Sequence, residues 1–195
     1  MRVSLLSSFA VAALVAAPLA TSLQAQAPVT QQASAPAAPV LPAVGELAPD
    51  FTAAVAGKDG VAAQPVTLSA LRGKVVVLAF YPADRTSGCT AELTKFRDEH
   101  AKLFGDDVVV LPISRDSLST HASWAKEMSF PFALVSDTEA EVAKKYGSQG
   151  NGRYFARTVF VIGRDGRIAH VVPRLNALSE DAYTSLGQAV AAAKR

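Results

Sequence analysis

Residues 75–96 read VVVLAFYPADRTSGCTAELTKF and hold the features from which the fold is predicted. The segment opens with an uninterrupted apolar run, residues 75–81, which is rich in β-branched and aromatic side chains. A run of this length and composition predicts a strand that is buried on both faces of a sheet. Pro82 ends the strand, because proline has no N–H to donate to a neighbouring strand.

The second half of the stretch has the pattern of a helix. Thr86 or Ser87 is a suitable N-cap residue, and Leu93 and Phe96 begin an apolar face at helical spacing. Cys89 is the single cysteine of the 195-residue sequence. It therefore falls in the first turn of a helix that follows a buried strand.

This position favours chemistry at the Cys89 sulfur. The unpaired N–H groups and the dipole of a helix N-terminus stabilise a thiolate, and open α/β sheets bind ligands at the carboxyl ends of their strands. The competing interpretation is a small buried apolar side chain, which is a common role of a free cysteine. The residues around Cys89 favour the reactive interpretation.

Pro82, Thr86 and Cys89 form the pattern Pro-x-x-x-Thr-x-x-Cys between the predicted strand and helix. This pattern, with the whole segment FYPADRTSGCTAELTKFRD at residues 80–98, resembles the peroxiredoxin family, specifically its bacterioferritin comigratory protein or peroxiredoxin Q branch. Residues 45–51, GELAPDF, resemble the opening of the same domain. The resemblance implies a thioredoxin-like α/β fold and a thiol-dependent peroxidase that reduces hydrogen peroxide and organic hydroperoxides.

Peroxide cleavage needs a thiolate, and donors for the charge that grows on the departing oxygen. Thr86 lies three residues before Cys89, so its hydroxyl can face the sulfur, while Pro82 would exclude water from it. The resemblance implies an activating arginine from a distant strand, for which Arg157 is the candidate. Glu92, one helical turn after the cysteine, could hold that arginine.

The backbone N–H groups of Gly88 and Cys89 can also donate to the substrate, since Gly88 has no side chain to obstruct them. Each candidate side chain has a plainer interpretation as well. Thr86 could be an N-cap alone, Arg157 a solvated charge at a strand end, and Glu92 a charge on a helix surface.

Many members of this branch carry a second, resolving cysteine five residues after the first, and here Thr94 stands at that position. With one cysteine, no internal disulfide can form. We therefore expect a one-cysteine enzyme whose Cys89 is regenerated by an external thiol reductant such as thioredoxin, glutaredoxin or glutathione. The sequence leaves monomer and homodimer both open.

Three other functions compete with the peroxidase. A thiol–disulfide oxidoreductase normally uses Cys-x-x-Cys, but Thr86 stands where the first cysteine would be. A cysteine hydrolase would need an oriented histidine; His170 follows in sequence, but nothing marks it for that role. A peroxide sensor or a thioredoxin-like binding module would use Cys89 slowly or not at all.

The N-terminal part of the chain predicts export. A positive N-terminal region, a short apolar run and small residues before cleavage sites at Ala25 and Ala27 are typical of a signal peptide over residues 1–25. An uncleaved anchor is the alternative, although the run is short for a membrane span. Residues 26–44 are rich in Ala, Pro and Gln and carry no charge, which predicts a disordered linker before one domain at residues 45–195. A periplasmic or secreted protein is expected.

Composition excludes several classes of partner. The formal net charge is +2 at pH 7 without a run of Lys or Arg, so no nucleic acid partner is expected. No second long apolar segment follows the predicted signal peptide, so no membrane span is expected in the mature form. His100, His121 and His170 show no metal-ligand spacing, and neither a metal nor another cofactor is predicted.

The rest of the sequence alternates predicted strands and helices, which indicates a central mixed β-sheet flanked by helices. The predicted elements are a strand at residues 108–114, a helix at 117–128, a short strand at 130–135, a helix that begins at a Thr138–Glu141 capping box and ends at Gly147, a hairpin of 157–162 with 167–172, and a last helix capped by Ser179.

Overall fold

The computed structural model describes residues 40–195. The predicted signal peptide, residues 1–25, and most of the predicted linker, residues 26–44, lie outside the described residues. None of the helices within residues 40–195 has the length and apolar content that crossing a membrane requires.

Strands and helices alternate along the described chain, as predicted. The strands are β1 Thr52–Ala53, β2 Val55–Gly57, β3 Gly60–Val61, β4 Val66–Thr67, β5 Val75–Phe80, β6 Val108–Ser114, β7 Leu134–Ser136, β8 Val159–Ile162 and β9 Ile168–Val172. The helices are α1 Ser87–Asp98, α2 His100–Leu103, α3 Leu118–Met128, α4 Glu141–Lys145 and α5 Glu180–Ala193, with a 3-10 turn at Leu68–Leu71.

Seven strands form one mixed sheet in the order β3-β2-β7-β6-β5-β8-β9, and β1 pairs with β4 separately. β5 lies between β6, to which it is parallel, and β8, to which it is antiparallel. β8 and β9 form the predicted antiparallel hairpin. The predicted central mixed sheet with flanking helices is confirmed.

The apolar run that opened the sequence analysis is the centre of the core. All six residues of β5 are buried. Odd-numbered residues, starting at Val75, join a hydrophobic cluster shared with α1, α3 and α5, while even-numbered residues, starting at Val76, join a cluster shared with α4. Because both faces are covered, the strand needs apolar side chains at every position. Cys89 belongs to the first of these clusters.

Two predicted strands begin two or more residues later than expected. The strand predicted at residues 130–135 begins only at Leu134, as β7. The residues before it are not extended in a strand, and Phe130 and Phe132 stack their rings, with centroids 5.2 Å apart, on either side of a proline. β8 begins at Val159, so Arg157 lies before the strand and not within it. The carbonyl of Arg157 accepts a hydrogen bond from Leu175 N–H at 2.9 Å, which fixes the backbone at this point.

The predicted capping box at the start of α4 is wrong. Ala140 is the N-cap residue, in a left-handed conformation with φ 59°. This turn brings the Asp137 carboxylate to the helix N-terminus, where it accepts hydrogen bonds from the N–H groups of Val142 and Ala143 at 3.2 and 2.9 Å. Asp137 therefore supplies the capping that the sequence pattern assigned to Thr138.

Residues 40–44, predicted as the end of the linker, lie against the domain. Leu41 packs on the cluster that contains Val76, and Gly45 N–H donates to the Ile168 carbonyl at 2.8 Å. A Cβ at Gly147 would lie 2.5 Å from the Val40 carbonyl oxygen, and φ there is +60°. Glycine is required at this position on both counts.

Candidate functional site

Cys89 lies where the sequence predicted it. α1 begins at Ser87, after a short loop that follows β5, so the cysteine is in the first turn. Its side chain is completely buried. The first helical hydrogen bond of this turn runs from Thr90 N–H to the Thr86 carbonyl at 2.8 Å. The N–H groups of Gly88 and Cys89 precede it and have no carbonyl one turn back in the helix.

Thr86 occupies the N-cap position, but its side chain does not cap the helix. The hydroxyl donates instead to the Ala83 carbonyl at 3.1 Å. A hydroxyl whose proton is used in this way keeps its oxygen lone pairs for an incoming donor. A peroxide O–H is a donor of this kind.

Arg157 meets Cys89 although the two residues are 68 positions apart. Its Nη2 lies 3.4 Å from Cys89 Sγ, and its Nη1 forms an ion pair with the Glu92 carboxylate. The Glu92 side chain is fully buried and that of Arg157 is 16% exposed. One guanidinium therefore bridges the sulfur and a carboxylate held on the same helix, as the planar fork of arginine allows.

The charges of this group influence one another. Burial raises the pKa of Glu92 to about 7, although Arg157 opposes the shift. Within residues 40–195, Glu92 Oε1 is buried without a hydrogen-bond partner, which adds to the cost of its ionised form. Burial alone would lower the pKa of Arg157, but the charges of Glu92 and Cys89 outweigh it and the pKa is raised.

Gly88 leaves the space that this arrangement needs. A Cβ at this position would lie 3.1 Å from Arg157 Nη2, closer than nearly all ordinary contacts of a Cβ. The residue directly before Cys89 must therefore be small if the guanidinium is to reach the sulfur.

A buried polar network fixes the loop between β5 and α1. Tyr81 O–H donates to Asp84 Oδ1 at 2.7 Å, and Asp84 Oδ2 lies 2.9 Å from His121 Nδ1. Asp84 N–H donates to the Asp116 carboxylate at 2.9 Å. Burial first, and then the charge of Asp84, raise the pKa of Tyr81, so it remains a donor. This network holds the loop that carries Pro82.

The second nitrogen of His121 also faces an acceptor. His121 Nε2 lies 3.2 Å from the Val135 carbonyl, and the ring is fully buried. His121 therefore links the Asp84 carboxylate, on the loop between β5 and α1, to the backbone of β7. Sequence reasoning missed this network, because His121 was seen as one of three scattered histidines. Nothing in the sequence around Asp84 indicates that His121 is its partner.

The residues invoked by the competing functions lie elsewhere. His170 is on β9, where it pairs with Val161. Within residues 40–195 the Cys89 sulfur has Arg157 as its hydrogen-bond partner, and no histidine contacts it. In the same residues, no group of three or more His, Cys, Asp or Glu side chains converges as a metal site would require.

Two grooves are lined by candidate site residues or their neighbours. One, of about 610 Å³, contains Arg157 in its wall together with Arg174. The other, of about 410 Å³, is bordered by Pro82 and Arg153. The segment between Gln149 and Phe155 contributes to both.

The fold and the site together define a class of protein that places one buried thiol beside a guanidinium on an α/β scaffold. The AhpC/TSA family matches residues 44–171 of the sequence. A putative peroxiredoxin bcp of Coxiella burnetii is 38% identical over 139 residues, covering 68% of this chain and 89% of that protein. Peroxiredoxin Q of Triticum aestivum chloroplasts is 36% identical over 129 residues, covering 65% of this chain but only 57% of that protein.

Solved structures agree with these sequence matches. Peroxidoxin BcpB from Mycobacterium tuberculosis superposes with a TM-score of 0.66 at 30% identity, covering 79% of this chain and 99% of the other. A PrxQ from Xylella fastidiosa gives a TM-score of 0.68 at 25% identity, covering 80% and 99%. The chain belongs to the AhpC/TSA family and is a peroxiredoxin, a thiol-dependent peroxidase with a thioredoxin-like fold. The predicted family and fold are confirmed.

Proposed function

We propose that Cys89 is the nucleophile of this peroxidase, activated by Arg157 and assisted by Thr86. The observation that supports this assignment is the contact of 3.4 Å between Arg157 Nη2 and Cys89 Sγ, made by a guanidinium that the buried Glu92 carboxylate holds in place. A cation at this distance favours the thiolate over the thiol. Pro82 belongs to the loop that shields the sulfur from water.

The proposed substrates are hydrogen peroxide and organic hydroperoxides. The Cys89 thiolate attacks the terminal peroxide oxygen, a sulfur–oxygen bond forms, and the O–O bond breaks. The departing oxygen takes a proton and leaves as water or an alcohol, and Cys89 becomes a sulfenic acid. Arg157 and the N–H groups of the first turn of α1 can stabilise the charge that develops on the oxygens.

A thiol from another molecule completes the cycle. It condenses with the Cys89 sulfenic acid to give a mixed disulfide and water, and a second thiol then releases reduced Cys89 and an external disulfide. Thr94 supports this route, since it stands where a resolving cysteine would be. Thioredoxin, glutaredoxin and glutathione are the proposed reductants of the catalytic cycle, in a monomer or a homodimer.

The test is a peroxidase assay of the full-length protein with dithiothreitol as reductant and either hydrogen peroxide or cumene hydroperoxide. Wild type should consume both peroxides, and Cys89→Ser should consume neither. Equal consumption by the two proteins would remove Cys89 from the mechanism. Negligible turnover by a correctly folded wild type would favour the sensor or binding module instead.

We also propose that the protein is exported. The support is the signal-peptide pattern of residues 1–25. N-terminal sequencing of the protein recovered from its native cell envelope should begin at Gln26 or Pro28. Recovery of intact Met1 from the cytoplasmic fraction would contradict export.

A further inference from the structure

Apart from Arg157, the residues that line the groove containing Arg157 and Arg174 have no role in peroxide attack as described above. Its volume of about 610 Å³ falls within the range of small-ligand sites, which is roughly 300–1,000 Å³. Besides the two arginines, its wall includes the amides of Gln149 and Asn151 and the apolar side chains of Phe155 and Leu175. We call this the arginine groove.

The arginine groove is positively charged. Among residues 40–195, no aspartate or glutamate lines it and Arg174 forms no ion pair. Residues 1–39 contain no acidic residue that could neutralise it. Arg174 is exposed, so its charge is available to a ligand, and a groove lined by one sign of charge concentrates ligands of the opposite sign.

Arg157 connects the groove to the reacting sulfur, because it lines the groove and contacts Cys89 Sγ. In the reduced enzyme the thiolate attracts the guanidinium. After oxidation the protonated sulfenic acid lacks that charge, which weakens the contact at Nη2 and makes this nitrogen available to an anion, while Nη1 stays paired with Glu92. The oxidised site thus has two guanidinium groups in one groove.

We infer that the arginine groove binds the reductant, and that this reductant is a small thiol of tripeptide size bearing carboxylates. The inference rests on the proposed function of Cys89. Arginines bind carboxylates through paired hydrogen bonds, and the amides and apolar wall suit a peptide backbone. The bound thiol attacks the sulfenic sulfur, a disulfide bond forms, the S–OH bond breaks, and water leaves with the thiol proton. A second thiol exchanges with the mixed disulfide.

Glutathione and its diethyl ester are a matched pair of probes, since they share the thiol and differ in the carboxylates. The full-length protein is oxidised with one equivalent of hydrogen peroxide, and decay of the sulfenic acid is followed at equal thiolate concentrations. Glutathione should react faster than the ester. Arg174→Glu should lower the glutathione rate by about tenfold, as expected for loss of a charge-assisted contact, and should leave the dithiothreitol rate equal to wild type.

The matched control is Arg164→Glu, because Arg164 is an exposed arginine on the turn between β8 and β9, paired with Asp107 and outside the groove. Arg164→Glu should not change the ratio of the rate with glutathione to the rate with its diethyl ester. Added salt should reduce the advantage of glutathione in wild type. Equal rates for glutathione and its ester in wild type, or an equal loss for both in Arg174→Glu, would overturn the inference.

The same experiments give different results if another molecule or segment occupies the arginine groove. If Arg174→Glu slows oxidation by a carboxylate-bearing hydroperoxide relative to its methyl ester, without affecting the thiol step, the groove serves the peroxide and the inference is wrong. Removal of residues 26–39 is a second test. If it raises the rates of sulfenic acid decay with glutathione and with its ester equally, the linker fills the groove and the inference is wrong. If no sulfenic acid forms in wild type, the proposed function itself fails.

Discussion

Arg157 Nη2 lies 3.4 Å from Cys89 Sγ while Nη1 of the same guanidinium is paired with the buried Glu92 carboxylate. Cys89 and Glu92 are one turn apart on α1, so a single helix presents both partners to one arginine. The arginine comes from the residues directly before β8, the strand that lies beside β5. The geometry of the sulfur therefore depends on the packing of α1 over the centre of the sheet.

Replacing Arg157 by Ala should slow sulfenic acid formation about tenfold or more, since a charge-assisted hydrogen bond is worth about 1.5–3 kcal/mol. Alkylation of Cys89 at neutral pH should also be slower, because the guanidinium no longer stabilises negative charge on the sulfur. Arg157→Lys should be intermediate, because it keeps the charge but cannot bridge Cys89 and Glu92. Arg164→Ala is the control and should match wild type. Identical alkylation rates for wild type and Arg157→Ala would contradict the assignment.

Gly88→Ala should slow peroxide reduction without lowering the free energy of unfolding. φ at Gly88 is not positive, and alanine is the better helix residue by up to about 1 kcal/mol, so unfolding should not become easier. The added Cβ crowds Arg157 Nη2 at 3.1 Å, and peroxide reduction should be several times slower. Gly187→Ala, where the Cβ would meet Leu103 at an ordinary 3.5 Å, should keep wild-type activity. Full activity in Gly88→Ala would show that the guanidinium does not need this space.

Glu92 should make the free energy of unfolding fall as pH rises. Burial, opposed by Arg157, raises its pKa to about 7 from an ordinary 4.5. Between these values the folded protein binds more protons than the unfolded chain, so stability is highest below the ordinary pKa and declines up to the folded pKa. Glu92→Gln should remove this slope in urea unfolding measured between about pH 5 and pH 8.

Glu99 provides the control for that measurement. It lies at the end of the same helix, and hydrogen bonds from Lys95 and Lys102 lower its pKa. Its titration falls below the range in which Glu92 titrates, so Glu99→Gln should leave the slope as in wild type. A slope that persists in Glu92→Gln would assign the pH dependence to another group.

His121→Leu should destabilise the protein by about 1–3 kcal/mol, because it leaves Asp84 Oδ2 buried without its hydrogen-bond partner. Peroxide reduction should fall as well, since Asp84 holds the loop that carries Pro82. The double variant His121→Leu/Asp84→Asn should recover part of the lost stability, and a double-mutant cycle measures this coupling. Additive effects of the two changes would show that the pair does not act as a unit.

Excess peroxide should oxidise Cys89 beyond the sulfenic acid. Intact-mass analysis should show a gain of one oxygen after one equivalent and of two oxygens after excess, because no second cysteine intercepts the first product. Thr94→Cys should form a disulfide and resist the second oxidation, while Thr94→Ser should behave as wild type. Five residues span about 7.5 Å of helix, which exceeds the usual reach of a disulfide, so α1 must unwind for the bond to form. Persistent sulfinic acid formation in Thr94→Cys would mean that α1 does not unwind and that the disulfide does not form.

Local sequence determined the elements of this protein. Unbroken apolar residues at 75–81 specify a strand covered on both faces, and the periodicity after Thr86 specifies the helix, because spacing of 2 or 3.6 residues decides which side chains share a face. These two elements alone place Cys89 in the first turn of α1. The motif around Cys89 also indicates the family, because the residues needed where a helix begins after a strand are close together in the sequence.

Tertiary structure decided which charges are buried together. Arg157, Glu92 and His121 each had a plain interpretation as a solvated or scattered residue, and nothing in their immediate neighbours separates the two cases. Packing of α1 and the start of β8 on β5 excludes water from Glu92, and packing of α3 buries His121 against Asp84. The reason is that burial and pairing of a charge depend on contacts between distant segments, whereas periodicity is read within one segment.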